Sequence, residues 1–146
     1  MTLGNTTILR DTIFLFKDFL SGAIADPISN RPTGQKFLHT SYPQEAVTYP
    51  IITVKDINST DVTWLGFQSE SMRHEIDMEV RVWAKDVVKR DQIAGSVYNA
   101  FRTNRLEFTG SQFHDLRMVS MVNVDADKEH SKVMTYRVMV LPGDII

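Results

Sequence analysis

Three carboxylates at alternate positions, Glu75, Asp77 and Glu79, are the residues of this chain whose type and spacing come nearest to chemistry. A pair of carboxylates flanking a glycosidic bond can act as acid and base, provided both face a cleft. Here the row stands beside Arg73 and Arg81 in an alternating segment, with no recognisable cleft around it. Four histidines, at 39, 74, 114 and 130, are the next candidates. None has a histidine four residues away, so none completes the zincin pattern. His74 falls on the apolar side of its segment and reads as a hydrogen-bonded or half-exposed core residue. The run Asp125-Ala126-Asp127-Lys128-Glu129 resembles the start of a calcium loop. That loop needs glycine at its sixth position and glutamate at its twelfth, where His130 and Tyr136 stand. An acidic hairpin tip explains the run better. With no cysteine, the chain has no disulfides, thiolate chemistry or cysteine-based zinc sites. No phosphate-cradling glycine loop and no nucleophile elbow is found. These residues predict a protein that is not an enzyme and needs no metal or cofactor.

The element carrying the carboxylates is itself well defined. Along Arg73–Ala84, His74, Ile76, Met78, Val80 and Val82 share one side, and Arg73, Glu75, Asp77, Glu79 and Arg81 share the other, with Trp83 at the end. Alternation of this kind predicts a long strand with one face on a core and a row of mixed charges toward water. Such an open face serves solubility or a partner. After a break at Lys85-Asp86, Ile93, Val97, Ala100 and Phe101 recur on one face of a helix running to about Arg105. Gly95 within it weakens the helix and is expected to permit close packing on the sheet.

A first helix begins after a Thr6 or Thr7 cap and runs to about Ala25, with a wide apolar face that includes Ile8, Leu9, Ile13, Phe16, Phe19 and Leu20. Phe14 projects from the polar side, as an ordinary exposed aromatic or as a contact to another subunit. Residues 26–49 hold three of the five prolines and no periodicity. Their aromatics (Phe37, Tyr42 and Tyr49) predict an extended arm that gains order by contacting something. A short strand is expected over Pro50–Lys55. Asp56–Met72 reads as polar and turn-rich, with Trp64, Leu65 and Phe67 forming a hairpin tip or an apolar contact patch. Two strands over Asp115–Asp125 and Lys132–Leu141 close the chain as an antiparallel hairpin. Both are apolar on two faces, which places them near the sheet centre or under a neighbour. The tail ends apolar, on Ile145 and Ile146. The expected fold is α+β: a mostly antiparallel, mixed sheet packed against two helices, one domain over 1–146 with 26–49 as its arm.

Length and charge set further bounds. A chain of 146 residues, 42% apolar and 23% charged, can bury a core without staples. A net charge of −2 does not suit binding by phosphate neutralisation. No apolar run spans a membrane, and Met1–Thr7 lacks the build of a signal peptide, so folding in a cytoplasm is the expectation.

Taken together, Tyr49-Pro50-Ile51-Ile52-Thr53-Val54, the strand ending in Val82-Trp83-Ala84, and the helix with Ile93, Val97 and Phe101 resemble the tail terminator proteins of long-tailed bacteriophages. These are also known as tail completion or tail-to-head joining proteins. The resemblance covers most of the chain from Thr6 to Leu141, while the 26–49 arm matches no motif of that family. It implies a virion protein assembled in the host cytoplasm, forming a homo-oligomeric ring, typically a hexamer. The implied partners are the tail tube protein below, the neck or head completion protein above, and DNA sliding through the channel without specific binding. Phe14, Phe37, Tyr42, Trp64, Phe67, Ile145 and Ile146 would then be interface residues. The charged face of Arg73, Glu75, Asp77, Glu79 and Arg81 would line the lumen or form inter-subunit ion pairs. Three other readings stay open: another neck or tube subunit, a monomeric ligand-binding domain with a ferredoxin-like sheet, and a small enzyme. The ferredoxin-like case wants a helix between the first two strands, where 56–72 does not read as one.

Overall fold

The computed structural model describes residues 8–44, 47–64, 72–104 and 113–140. Its elements are α1 (Ile8–Ala23), β1 (Leu38–His39), β2 (Ile51–Trp64), β3 (Met72–Ala84), α2 (Val87–Thr103), β4 (Phe113–Asp125) and β5 (His130–Val140). The five strands form one sheet in the order β1-β2-β3-β5-β4. All pairings are antiparallel except the short parallel contact of β1 with β2. The fold is therefore α+β, with two helices on a five-stranded mixed sheet.

Alternation puts Ile52 and Val54 of β2 on the same side as Val82 and Val80 of β3, their direct partners. Met134, Tyr136 and Val138 of β5 extend that side opposite Val80, Met78 and Ile76. Onto it α1 delivers Phe16 and Leu20, and α2 delivers Ile93, Ala94, Val97 and Phe101. Phe101 is the joint, with its ring 4.5 Å from Tyr136, 5.0 Å from Phe19 and 5.5 Å from Phe16. Burying each such ring contributes roughly 2 kcal/mol. α2 starts where Asp86 accepts a hydrogen bond from the Val88 N–H at 3.2 Å, satisfying one otherwise unpaired donor of the first turn.

Several expectations change. α1 ends at Ala23, two residues short of Ala25. β2 runs on through Asp56 to Trp64, where a polar turn-rich stretch was expected. Pairing along β3 supplies the hydrogen bonds that weak strand propensity does not, and two register shifts leave Ile57 and Val62 as the extra residues of β2. The hairpin tip with Leu65 and Phe67 lies outside the described residues. β5 does lie inside the sheet, but β4 is an edge strand despite its two apolar faces. Gly95 is exposed, with open space where a Cβ would stand, so it does not serve close packing. Among the described residues, no helix is long and apolar enough to cross a membrane.

Candidate assembly surfaces

The helix-free side of the sheet carries the carboxylate row. β3 lies between β2 and β5, so each of these residues has neighbours on both sides. Register places Arg137 opposite Asp77, and Lys55 and Thr135 on either side of Glu79. Arg137 donates to Asp77 through Nε at 2.8 Å and Nη2 at 3.2 Å, and its Nε comes within 3.9 Å of Glu75. The carboxylate holds the Arg137 guanidinium still more firmly in its charged form. Lys55 approaches Glu79 at 3.4 Å and Arg81 approaches it at 3.9 Å. Asp77 is 9% exposed and Glu79 8%, while Glu75 and Arg81 are half-buried.

The expected open row of charges is thus a covered ladder. Short carboxylates sit close to the sheet, and the longer stems of lysine and arginine lie across them. Among the described ion pairs, three carboxylates (Glu75, Asp77, Glu79) meet three cations (Lys55, Arg81, Arg137), so these pairs balance one another. A glycosidase pair would need both carboxyls on a cleft; a flat sheet face with ion-paired acids fixes strand register instead. Arg73 pairs with Thr63 at the far end of β3.

At the other end of the ladder the 26–49 segment folds back on its own domain. Arg81 lies 3.9 Å from the Trp83 ring centroid and donates to Ser131 Oγ at 2.9 and 3.0 Å. Tyr42 meets the same indole edge-on at 4.8 Å, and Trp83 Nε1 donates to Thr53 Oγ1 at 3.1 Å. The Tyr42 and Tyr49 hydroxyls are hydrogen-bonded, and Tyr49 donates to Glu129 at 2.5 Å. Burial, and then the carboxylate beside it, push the Tyr49 phenol well above its ordinary range. On the opposite side of the sheet edge Phe37 joins the core. What the arm contacts is therefore its own sheet, wrapped around the β2 edge. Arg31 ties its two ends together through Asp26 and the carbonyls of Thr48 and Pro50.

The aromatics singled out in the sequence separate accordingly. Phe14 is 48% exposed, on the side of α1 opposite Phe16 and Leu20. Phe37 is a core residue, because β1 pairing turns it under the Arg31 guanidinium, 5.6 Å from its ring centroid. Tyr42 is exposed yet spends one ring edge on Trp83. Trp64 closes β2 opposite Met72. Phe67, Ile145 and Ile146 lie outside the described residues.

A surface that the sequence marked only as apolar on two faces is β4. From Arg117 to Asp125 every residue is exposed, including Met118, Val119, Met121, Val122 and Val124. The helix layer stops short of it, since α1 lies over β1 and β2 while α2 lies over β3 and β5. Between α2 and β4 runs an open groove of about 300 Å³, floored by Phe101, Leu116 and Tyr136. The hairpin is nevertheless firmly anchored. Arg90, 3% exposed, donates to Asp125 at 2.7 Å and Asp91 at 2.9 Å. Lys132 also reaches Asp91 at 2.9 Å, and His130 reaches Asp125 at 2.9 Å. Arg90 and then Lys132 hold the Asp91 carboxyl below its usual range. The signal for Arg90 was present in the sequence: it shares the helix face of Ile93, Ala94 and Val97. Arg31 and Arg137 carried none, because their partners are remote or irregular. Among the described residues no three metal-ligating side chains gather. No known family model matches the chain, and no curated protein sequence matches it.

Proposed function

We propose that this chain is a structural virion subunit, a ring-forming tail terminator that caps the phage tail tube and joins it to the neck. The motif resemblance gives the role its name. The observation that carries its assembly part is the thirteen-residue edge strand β4, apolar on both faces and uncovered among the described residues. Soluble monomers blunt such edges with charge, proline or a covering element, because an open strand pairs with whatever strand it meets. A ring subunit keeps its edge open for the next subunit. Phe14, on the outer side of α1, supplies a second contact, toward the tube or the neck. The balanced ladder on the helix-free face suits a channel surface along which DNA slides without holding.

The test has two parts. Mass in solution, measured with and without tail tube protein, is expected to show a closed oligomer, and loss of the gene to leave tails of uncontrolled length. Tails of normal length that fail to join heads would assign the chain to the neck instead. A monomer under all these conditions would overturn the proposal. Phe14→Asp is expected to leave the melting temperature within a few degrees of wild type, since surface changes of this kind are worth under about 0.5 kcal/mol. The same variant is expected to weaken assembly.

A further inference from the structure

We infer that β4 of one copy pairs antiparallel with residues 55–64 of β2 in a second copy, so that the sheet continues head-to-tail from subunit to subunit. This rests on the ring reading above and adds to it the contact that builds the ring.

Three observations lead there. First, among the described residues the sheet has two free edges. One is β4; the other is β2 beyond Thr53, since β1 pairs only with Ile52 and Thr53 among the described residues. Second, their directions match. Each step from β2 through β3 and β5 to β4 is antiparallel, so β4 runs opposite to β2. A second copy in the same orientation therefore presents its β2 antiparallel to the first copy's β4, and both backbones can complete their hydrogen bonds. Both edges carry exposed apolar side chains: Val122 at 54% on β4, and Ile57 at 49% in the β2 bulge.

Third, the helix layer is offset in the direction this arrangement requires. α1 overlies the β2 side, and beyond Leu116 every residue of β4 is exposed. Head-to-tail pairing sets the neighbour's α1 beside the bare strip that holds Met118 and Met121. A symmetric β4–β4 pair would instead join two bare strips and leave the methionines of both copies uncovered. A heterologous contact repeated with a constant rotation closes into a ring when that rotation divides a full turn without a rise.

The absence of native cysteine makes the contact directly testable. Asn58, Ser120, Val122 and Val124 all lie on the helix-free face. Asn58→Cys is combined in turn with Ser120→Cys, Val122→Cys and Val124→Cys, and each protein is oxidised mildly, alone and with tail tube protein. Directly opposed positions in an antiparallel pair bring Cβ atoms to about 5 Å, near enough to form a disulfide after small adjustments. At least one double variant is expected to give a ladder of trimers and larger species, at least tenfold above any single variant. A Val122→Cys dimer as abundant as that ladder would overturn the proposal in favour of β4–β4 pairing. Oligomers seen by mass, with no ladder from any of the three pairs, would overturn the edge pairing and leave the ring reading intact. A monomer throughout would overturn both.

Discussion

Arg31 donates four hydrogen bonds within 3.0 Å: two to the Asp26 carboxylate, one to the Thr48 carbonyl and one to the Pro50 carbonyl. A planar fork can satisfy three acceptors at once, which a lysine ammonium cannot do in the same geometry. Arg31→Ala leaves two backbone carbonyls and a carboxylate without their donor. The expected cost is about 2 kcal/mol, read by urea denaturation, with faster proteolytic cleavage between residues 26 and 50. A loss below about 0.5 kcal/mol would mean that the arm is held elsewhere. Asp26 supplies a pH signature. Its hydrogen bond from Arg31 lowers its folded pKa, so its stabilisation is complete above the unfolded value near 4 and fades as pH falls through the folded value. The stability difference between wild type and Asp26→Asn is therefore expected to shrink from pH 6 to pH 3. A difference constant over that range would show that the pair does not couple to folding. Neither residue stood out in the sequence, because an irregular segment has no period to betray a contact between its ends.

The central strand shows why patterning reads one face well and the other poorly. Ile76, Met78, Val80 and Val82 are core residues as alternation requires. The opposite row was legible as charged, but its burial depends on Lys55, 24 positions before Glu79, and Arg137, 60 positions after Asp77. Reversing a covered charge has consequences that an exposed row would not share. Glu79→Lys sets a third cation against Lys55 and Arg81, and is expected to cost about 2 kcal/mol, with Glu79→Gln costing less. Adding Glu75→Lys deprives Arg137 of a second neighbour and should deepen the loss. Thermal melts of the three variants check this order. Unchanged stability with altered assembly would instead make the ladder a contact surface. β2 makes the same point about length, because its polar second half is a strand through its pairing with β3 and not through propensity.

On the scale of the whole molecule, two helices cover four strands and leave the fifth exposed from Arg117 to Asp125. That offset gives the chain a covered end and an open end, the asymmetry a head-to-tail assembly needs. The sequence by itself determined the elements with strong periods: both helices, β3, β5, and the α+β class they imply. Period reports which side chains share a face, and a face with enough apolar area must meet another. It also marked β4 as apolar on both sides, leaving two readings open, a central strand or a neighbour's cover. Only the tertiary structure excluded the central strand, because strand order depends on how distant segments pair and no local pattern encodes it. The same holds for Phe37, turned into the core by a two-residue parallel pairing, and for the carboxylates of β3. Their exposure was fixed by cations that only the register of β2 and β5 brings alongside.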